Sequence, residues 1–164
     1  MTLTPIAAPS PNFNDRKLPV SLIVLHYTGM ENGAVALERM CDPAAEVSAH
    51  YMVEEDGRVF QLVDEDKRAW HAGVSVWRGE TDINSASIGV EIVNGGHDYG
   101  LPEFPAIQIA AVIELVRDVM RRHGIGPEGV IGHSDIAPGR KQDPGEKFPW
   151  DRLVAADCAL VVRA

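Results

Sequence analysis

Two histidines and an aspartate, His26, His133 and Asp143, are the residues of this chain best suited to do chemistry. Two imidazoles and one carboxylate offer three ligands and leave one position open, the way a catalytic zinc ion is held when its water ionises near neutral pH. His133 follows a short strand candidate, Gly129 to Gly132, and opens a Gly- and Pro-rich loop that runs through Lys141 and Asp143 to Gly145. A loop of that composition makes few apolar contacts, so its polar residues need another reason to be held in place. His26 ends a second apolar run, Val20 to Leu25, where a strand gives way to a loop face. Each residue also has a plainer reading. A histidine at a strand end is commonly just hydrogen-bonded, and an Asp before Pro144 starts a turn.

The elements that must position these groups follow from periodicity. Val20 to Leu25 is short, apolar and rich in β-branched residues, as a strand buried on both faces is, and Ser87 to Val93 reads the same way. Asp56-Gly57 between two strand-like runs predicts a hairpin with a two-residue turn. A short helix is expected over Gly33 to Cys41, with Ala34, Leu37 and Cys41 on its inner side and Pro43 as its stop. The longest helix is expected from Pro105 to His123, where Ile109, Val112, Ile113, Val116, Val119 and Met120 recur at three- and four-residue steps. Arg121, Arg122 and His123 complement its C-terminal dipole ahead of Gly124. Arg152 to Val162 is expected to close the chain as a helix. Together these predict an α/β fold, a central mixed β-sheet flanked by helices. It forms one domain over residues 20–164, preceded by an extended arm over residues 1–19.

Composition narrows the partners. The 164 residues carry 15 Lys and Arg against 24 Asp and Glu, a formal charge of −9, so no nucleic-acid partner is expected. No stretch reaches the roughly 18 consecutive apolar residues that span a bilayer. Two cysteines, Cys41 and Cys158, sit in apolar surroundings and are too few for a disulfide framework. The opening segment lacks a basic stretch followed by an apolar one. The expectation is therefore a cytoplasmic protein, or a periplasmic one if the natural chain begins further upstream.

Five stretches are specific in combination: Ile23-Val24-Leu25-His26-Tyr27-Thr28, Ser48-Ala49-His50-Tyr51, Ala69-Trp70-His71-Ala72-Gly73, Ser87-Ile88-Gly89-Val90-Glu91-Ile92, and the His133 to Gly145 loop. In that order they resemble the zinc-dependent N-acetylmuramoyl-L-alanine amidase family, which also includes phage T7 lysozyme and the peptidoglycan recognition proteins. The resemblance runs from about Leu22 to Trp150. It implies a zinc groove at one edge of the sheet. It also implies cleavage of the amide that joins N-acetylmuramic acid, or its 1,6-anhydro form, to L-alanine in peptidoglycan or muropeptides. By that resemblance His26, His133 and Asp143 fall on the ligand positions for one zinc ion per chain. Glu91 falls on the position of the catalytic carboxylate and Lys141 on that of the cation beside the metal.

The chemistry is consistent with that division of labour. An amide is a poor electrophile with a poor leaving group, so a carboxylate that moves protons and a cation that holds an oxyanion both contribute. Pattern alone leaves other readings open. Under strict alternation Glu91 shares a face with Gly89 and Val93, as a solvated carboxylate would, and Arg140-Lys141 reads as an ordinary surface pair. His50, His71 and Asn94 are further candidates for contacting substrate. Equally, His50 reads as a core residue at a strand start, His71 as packing beside Trp70, and Asn94 as a turn residue. Two other functions fit the same fold: a non-catalytic peptidoglycan-binding module, and an interaction protein like the polymerase-binding phage lysozyme. The complete set of His26, His133, Asp143, Glu91 and Lys141 favours an enzyme. Nothing in the sequence sets the oligomeric state.

Overall fold

A computed structural model describes residues 3–160. In chain order the elements are β1 (Ile6–Ala7), β2 (Phe13–Asp15), β3 (Leu22–Tyr27), α1 (Gly33–Cys41), β4 (Tyr51–Val53), β5 (Val59–Gln61), β6 (Lys67–Ala69), α2 (Ile83–Ala86), β7 (Ser87–Ile92), α3 (Ala106–His123), β8 (Val130–Gly132), α4 (His133–Ile136) and α5 (Trp150–Ala155). Six strands form one mixed sheet in the order β1-β5-β4-β7-β3-β8, and β2 pairs with β6 apart from it. Within the large sheet β4 and β5 run antiparallel, while β4, β7, β3 and β8 are mutually parallel.

Parallel pairing explains the unbroken apolar runs, because helices cover both faces of such a sheet. On one face Ile23, Leu25, Ile88, Val90 and Ile92 pack against Ile109, Val112, Val116 and Val119 of α3 and Leu153 of α5. The other face is covered in two parts. Ala36 and Met40 of α1 lie on Met52 and Val93, and Ile83, Ala86 and Ile136 of α2 and α4 lie on Leu22, Val24 and Ile131.

Several expectations shift in detail. The first buried strand starts at Leu22 and continues past Leu25 to Tyr27, because its ladder with β7 runs on through His26↔Glu91 and Tyr27↔Ile92. His26 is thus a residue of the strand rather than the one after it. In α1 Ala36 and Met40 are buried on the inner side with Leu37 and Cys41 packed beside them, while Ala34 is exposed. The Asn32 side chain accepts the Val35 N–H at 2.9 Å and sets where that helix begins. The hairpin has a three-residue loop, Glu55 to Gly57, closed by Glu54 N–H on the Arg58 carbonyl and Gly57 N–H on the Glu54 carbonyl. The closing helix is Trp150–Ala155, ended where Cys158 N–H returns to the Leu153 carbonyl. Val161 and Val162 of the expected helix, and Met1 and Thr2 of the arm, lie outside the described residues.

The arm is stitched to the rest of the chain. β1 pairs with β5, β2 pairs with β6, and the Asn12 amide donates to the carbonyls of Met40, Asp42 and Val47. Both cysteines are free thiols. Among the described residues no helix is long and apolar enough to cross a membrane.

Candidate functional site

Parallel strands end together, and here β3, β7 and β8 deliver their carboxyl ends to one groove. β3 brings His26, β7 brings Glu91 directly opposite in register, and β8 hands over to α4, whose first residue is His133. Asp143 arrives from the loop beyond α4. That loop is closed on itself by Ser134 N–H donating to the Asp143 carbonyl at 2.9 Å. A side chain at Gly132 would stand 2.8 Å from the Pro144 ring, so the bare glycine lets the loop seat beside the strand end. His97 ties the same loop from outside, with Nδ1 2.8 Å from the Tyr27 hydroxyl and Nε2 2.7 Å from Glu146 Oε1.

The three expected ligands meet. His26 Nδ1 lies 3.0 Å from His133 Nδ1 and 3.0 Å from Asp143 Oδ2, and His133 Nδ1 lies 3.1 Å from the same oxygen. All three residues are buried, and their ligand atoms lie within 4.8 Å of one another. The Nε2–H of His133 donates to the Ala72 carbonyl at 2.9 Å, so Nδ1 is the ring nitrogen that faces His26 and Asp143. Burial lowers the pKa of His26, and the hydrogen bond and charge of Asp143 oppose this. A donor set of two imidazole nitrogens and one carboxylate oxygen suits zinc. Among the described residues it is the one cluster of three or more His, Cys, Asp or Glu side chains placed to hold a metal ion.

Glu91 borders this cluster, with Oε1 3.9 Å from His26 Nδ1. Its Oε2 is buried and has no hydrogen-bond partner. Burial, followed by the charge of Asp143, raises its pKa well above the usual carboxylate range, and the charge of Lys141 opposes this. Lys141 is exposed and lines the same cavity as Glu91, Asp143 and the two histidines, a groove of about 490 Å³. The groove continues past His71 and Trp70 to Arg39, Met30 and Met40 at the edge of α1.

The other candidates separate. His71 lines the groove, but both of its ring nitrogens are bonded within the protein, to His26 and to Ser87. His50 is fully buried, away from the groove. Its Nδ1 accepts the Gly89 N–H at 3.0 Å and its Nε2 meets the Lys67 carbonyl at 2.9 Å, so it serves the sheet rather than a substrate. Asn94 is buried as well: its amide donates to the Pro102 carbonyl and its oxygen accepts the Gly96 N–H, the work of a turn residue. Sequence reasoning passed over Arg140 and Asn84. Arg140 donates to the carbonyls of Ala72 and Val74, and the Asn84 oxygen accepts the N–H groups of both His71 and Ala72. No local signal marks Asn84. Arg140 was visible only as half of a basic pair.

Comparison with known proteins identifies the family and the fold. A sequence-family model described as N-acetylmuramoyl-L-alanine amidase matches residues 16–146. The N-acetylmuramoyl-L-alanine amidase AmiD of Escherichia coli is 42% identical over 147 residues, which cover 82% of this chain and 52% of AmiD. The 1,6-anhydro-N-acetylmuramyl-L-alanine amidase AmpD of Haemophilus influenzae is 33% identical over 167 residues, covering 90% of this chain and 89% of AmpD. The chain thus spans about half the length of the first relative and nearly all of the second. The structure of E. coli AmiD with the substrate anhydro-N-acetylmuramic acid-L-Ala-D-γ-Glu-L-Lys superposes with a TM-score of 0.81 at 38% identity, over 88% of this chain and 60% of that one.

Proposed function

The chain belongs to the N-acetylmuramoyl-L-alanine amidase family, and from that premise we propose that it hydrolyses the amide between N-acetylmuramic acid and L-alanine with one bound zinc ion. The observation that carries this reading is the convergence of His26, His133 and Asp143 beside a buried, unpartnered carboxylate oxygen of Glu91. The proposed catalytic domain is residues 20–164, with residues 1–19 as its arm. His26, His133 and Asp143 hold the ion. When bound, zinc polarises the amide carbonyl and acidifies water at neutral pH. Glu91 takes the proton of the attacking water and returns it to the departing alanine nitrogen, a task suited to a buried carboxyl whose pKa is raised. The Lys141 ammonium faces the groove and stabilises the negative charge that develops on the carbonyl oxygen, a contribution on the order of 3 kcal/mol for one such donor.

The substrate we infer is a soluble muropeptide carrying the 1,6-anhydro sugar, which places the protein in the turnover of wall fragments. The names of the AmpD relatives and the ligand held by AmiD support this class. A groove of about 490 Å³ accommodates one sugar with a short stem peptide. Release of free peptide from an anhydromuropeptide and from intact sacculi, measured in parallel on the zinc-loaded protein, tests it. Faster cleavage of the soluble substrate is expected, and cleavage of sacculi alone would refute the inferred substrate. His26→Ala and His133→Ala should each lose both zinc, by metal analysis, and all cleavage. Full zinc occupancy in either variant would remove that residue from the ligand set.

A further inference from the structure

His71 stands behind His26, and its hydrogen bonds have one consistent direction. The Ser87 hydroxyl donates to the Ile83 carbonyl at 2.6 Å, so its oxygen is left to accept, and His71 Nε2 lies 3.1 Å from it. A neutral imidazole carries one proton. In His71 that proton is on Nε2, and Nδ1 is bare. The bare Nδ1 lies 3.0 Å from His26 Nε2. His26 therefore donates from Nε2–H, and its own Nδ1 turns a lone pair toward His133 and Asp143.

Two further features support the chain of bonds. His71 is held in place, because the Asn84 oxygen accepts the N–H groups of His71 and Ala72 at 3.0 and 2.8 Å. The strand beneath it makes room. Gly89 lies two residues from both Ser87 and Glu91, on their face of β7, and a Cβ there would stand 2.5 Å from His71 Cδ2. Only a residue without a side chain lets the ring lie against the strand.

We propose that His71 is a positioning residue for the metal centre: anchored through Ser87 to the Ile83 carbonyl, it sets His26 in the tautomer whose Nδ1 faces His133 and Asp143. This rests on the reading of that cluster as a zinc site. It makes His71 part of the ligand-holding frame rather than a contact for substrate. The partner that orients a metal-bound histidine is typically worth about 10–100-fold in metal affinity.

Two measurements on the purified chain test it. In competition titrations with a chromophoric zinc chelator, His71→Ala should weaken zinc binding by about 10–100-fold. His71→Asn, whose Oδ1 replaces the bare Nδ1, should recover most of that affinity. Gly89→Ala removes no polar group and should still weaken binding, by crowding the ring. In a long-range ¹⁵N–¹H spectrum of the metal-free protein, His71 should be protonated at Nε2 and bare at Nδ1. A proton on His71 Nδ1, or wild-type zinc affinity in His71→Ala, would overturn the proposal. Wild-type protein that takes up no zinc would instead refute the metal site, while the spectrum still reads the relay.

Discussion

At Glu91 two demands meet that a metal ligand would not satisfy together. The carboxyl borders the cluster, with Oε1 3.9 Å from His26 Nδ1, yet its other oxygen is buried without a partner. A group that moves protons without holding the metal should be separable from it by mutation. Glu91→Gln should keep its zinc and bind muropeptide, while turnover falls by roughly 10²–10⁴, since an amide keeps the shape but accepts no proton. Lys141→Ala should also keep zinc and lose kcat rather than affinity for substrate. Near wild-type turnover in Glu91→Gln would put the base elsewhere. His50 makes a different kind of prediction. Burial lowers its pKa from 6.5 to about 4, so protonation favours the unfolded chain. Its contribution to stability is therefore complete above pH 6.5, shrinks as the pH falls, and is gone below about pH 4. That loss is about 3 kcal/mol. Urea unfolding of the metal-free protein at pH 7 and pH 4 should show a larger acid loss for wild type than for His50→Asn. Equal losses would show that His50 is not the source.

The elements act on the site through backbone as much as through side chains. Between β6 and α2, the stretch Trp70 to Gly73 has no regular structure, yet it carries His71 and offers the Ala72 carbonyl to His133. Its shape depends on partners far along the chain: Ser48, whose oxygen accepts the Trp70 N–H, then Asn84 and Arg140. Asn84→Ala would strand two amide N–H groups and should cost about 1–3 kcal/mol in urea unfolding. Asn84→Asp keeps an acceptor and should cost less. Equal stability of wild type and Asn84→Ala would mean that water replaces the asparagine without penalty. The same loops explain why pattern alone left the surroundings of Glu91 open. Alternation along β7 puts Glu91 on the face opposite α3, but only the cover supplied by α1, the Trp70 to Gly73 stretch and the Asp143 loop makes that face an interior groove.

For the whole molecule, a metal that binds the native state alone adds its binding energy to folding. At free zinc a hundredfold above its Kd the gain is about 2.7 kcal/mol. Chelation with EDTA should lower the calorimetric Tm of the wild type and leave that of His133→Ala unchanged. A wild-type Tm indifferent to EDTA would argue against a native-state zinc site. The sequence by itself determined what depends on neighbours along the chain: the apolar strands, the stripe of α3, the helix over Gly33–Cys41, and a candidate ligand set of chemically competent residues in a recognisable order. Spacing and periodicity are local, so they can be read without the fold. Tertiary structure alone decided which of the six histidines face one another and which ring nitrogen each presents. His26 meets His71 across 45 residues, His133 across 107 and Asp143 across 117. His50, from a motif as specific as that of His71, is turned into the sheet instead. Strand register and ring orientation arise from contacts between distant segments, and the spacing of residues along one chain carries no record of them.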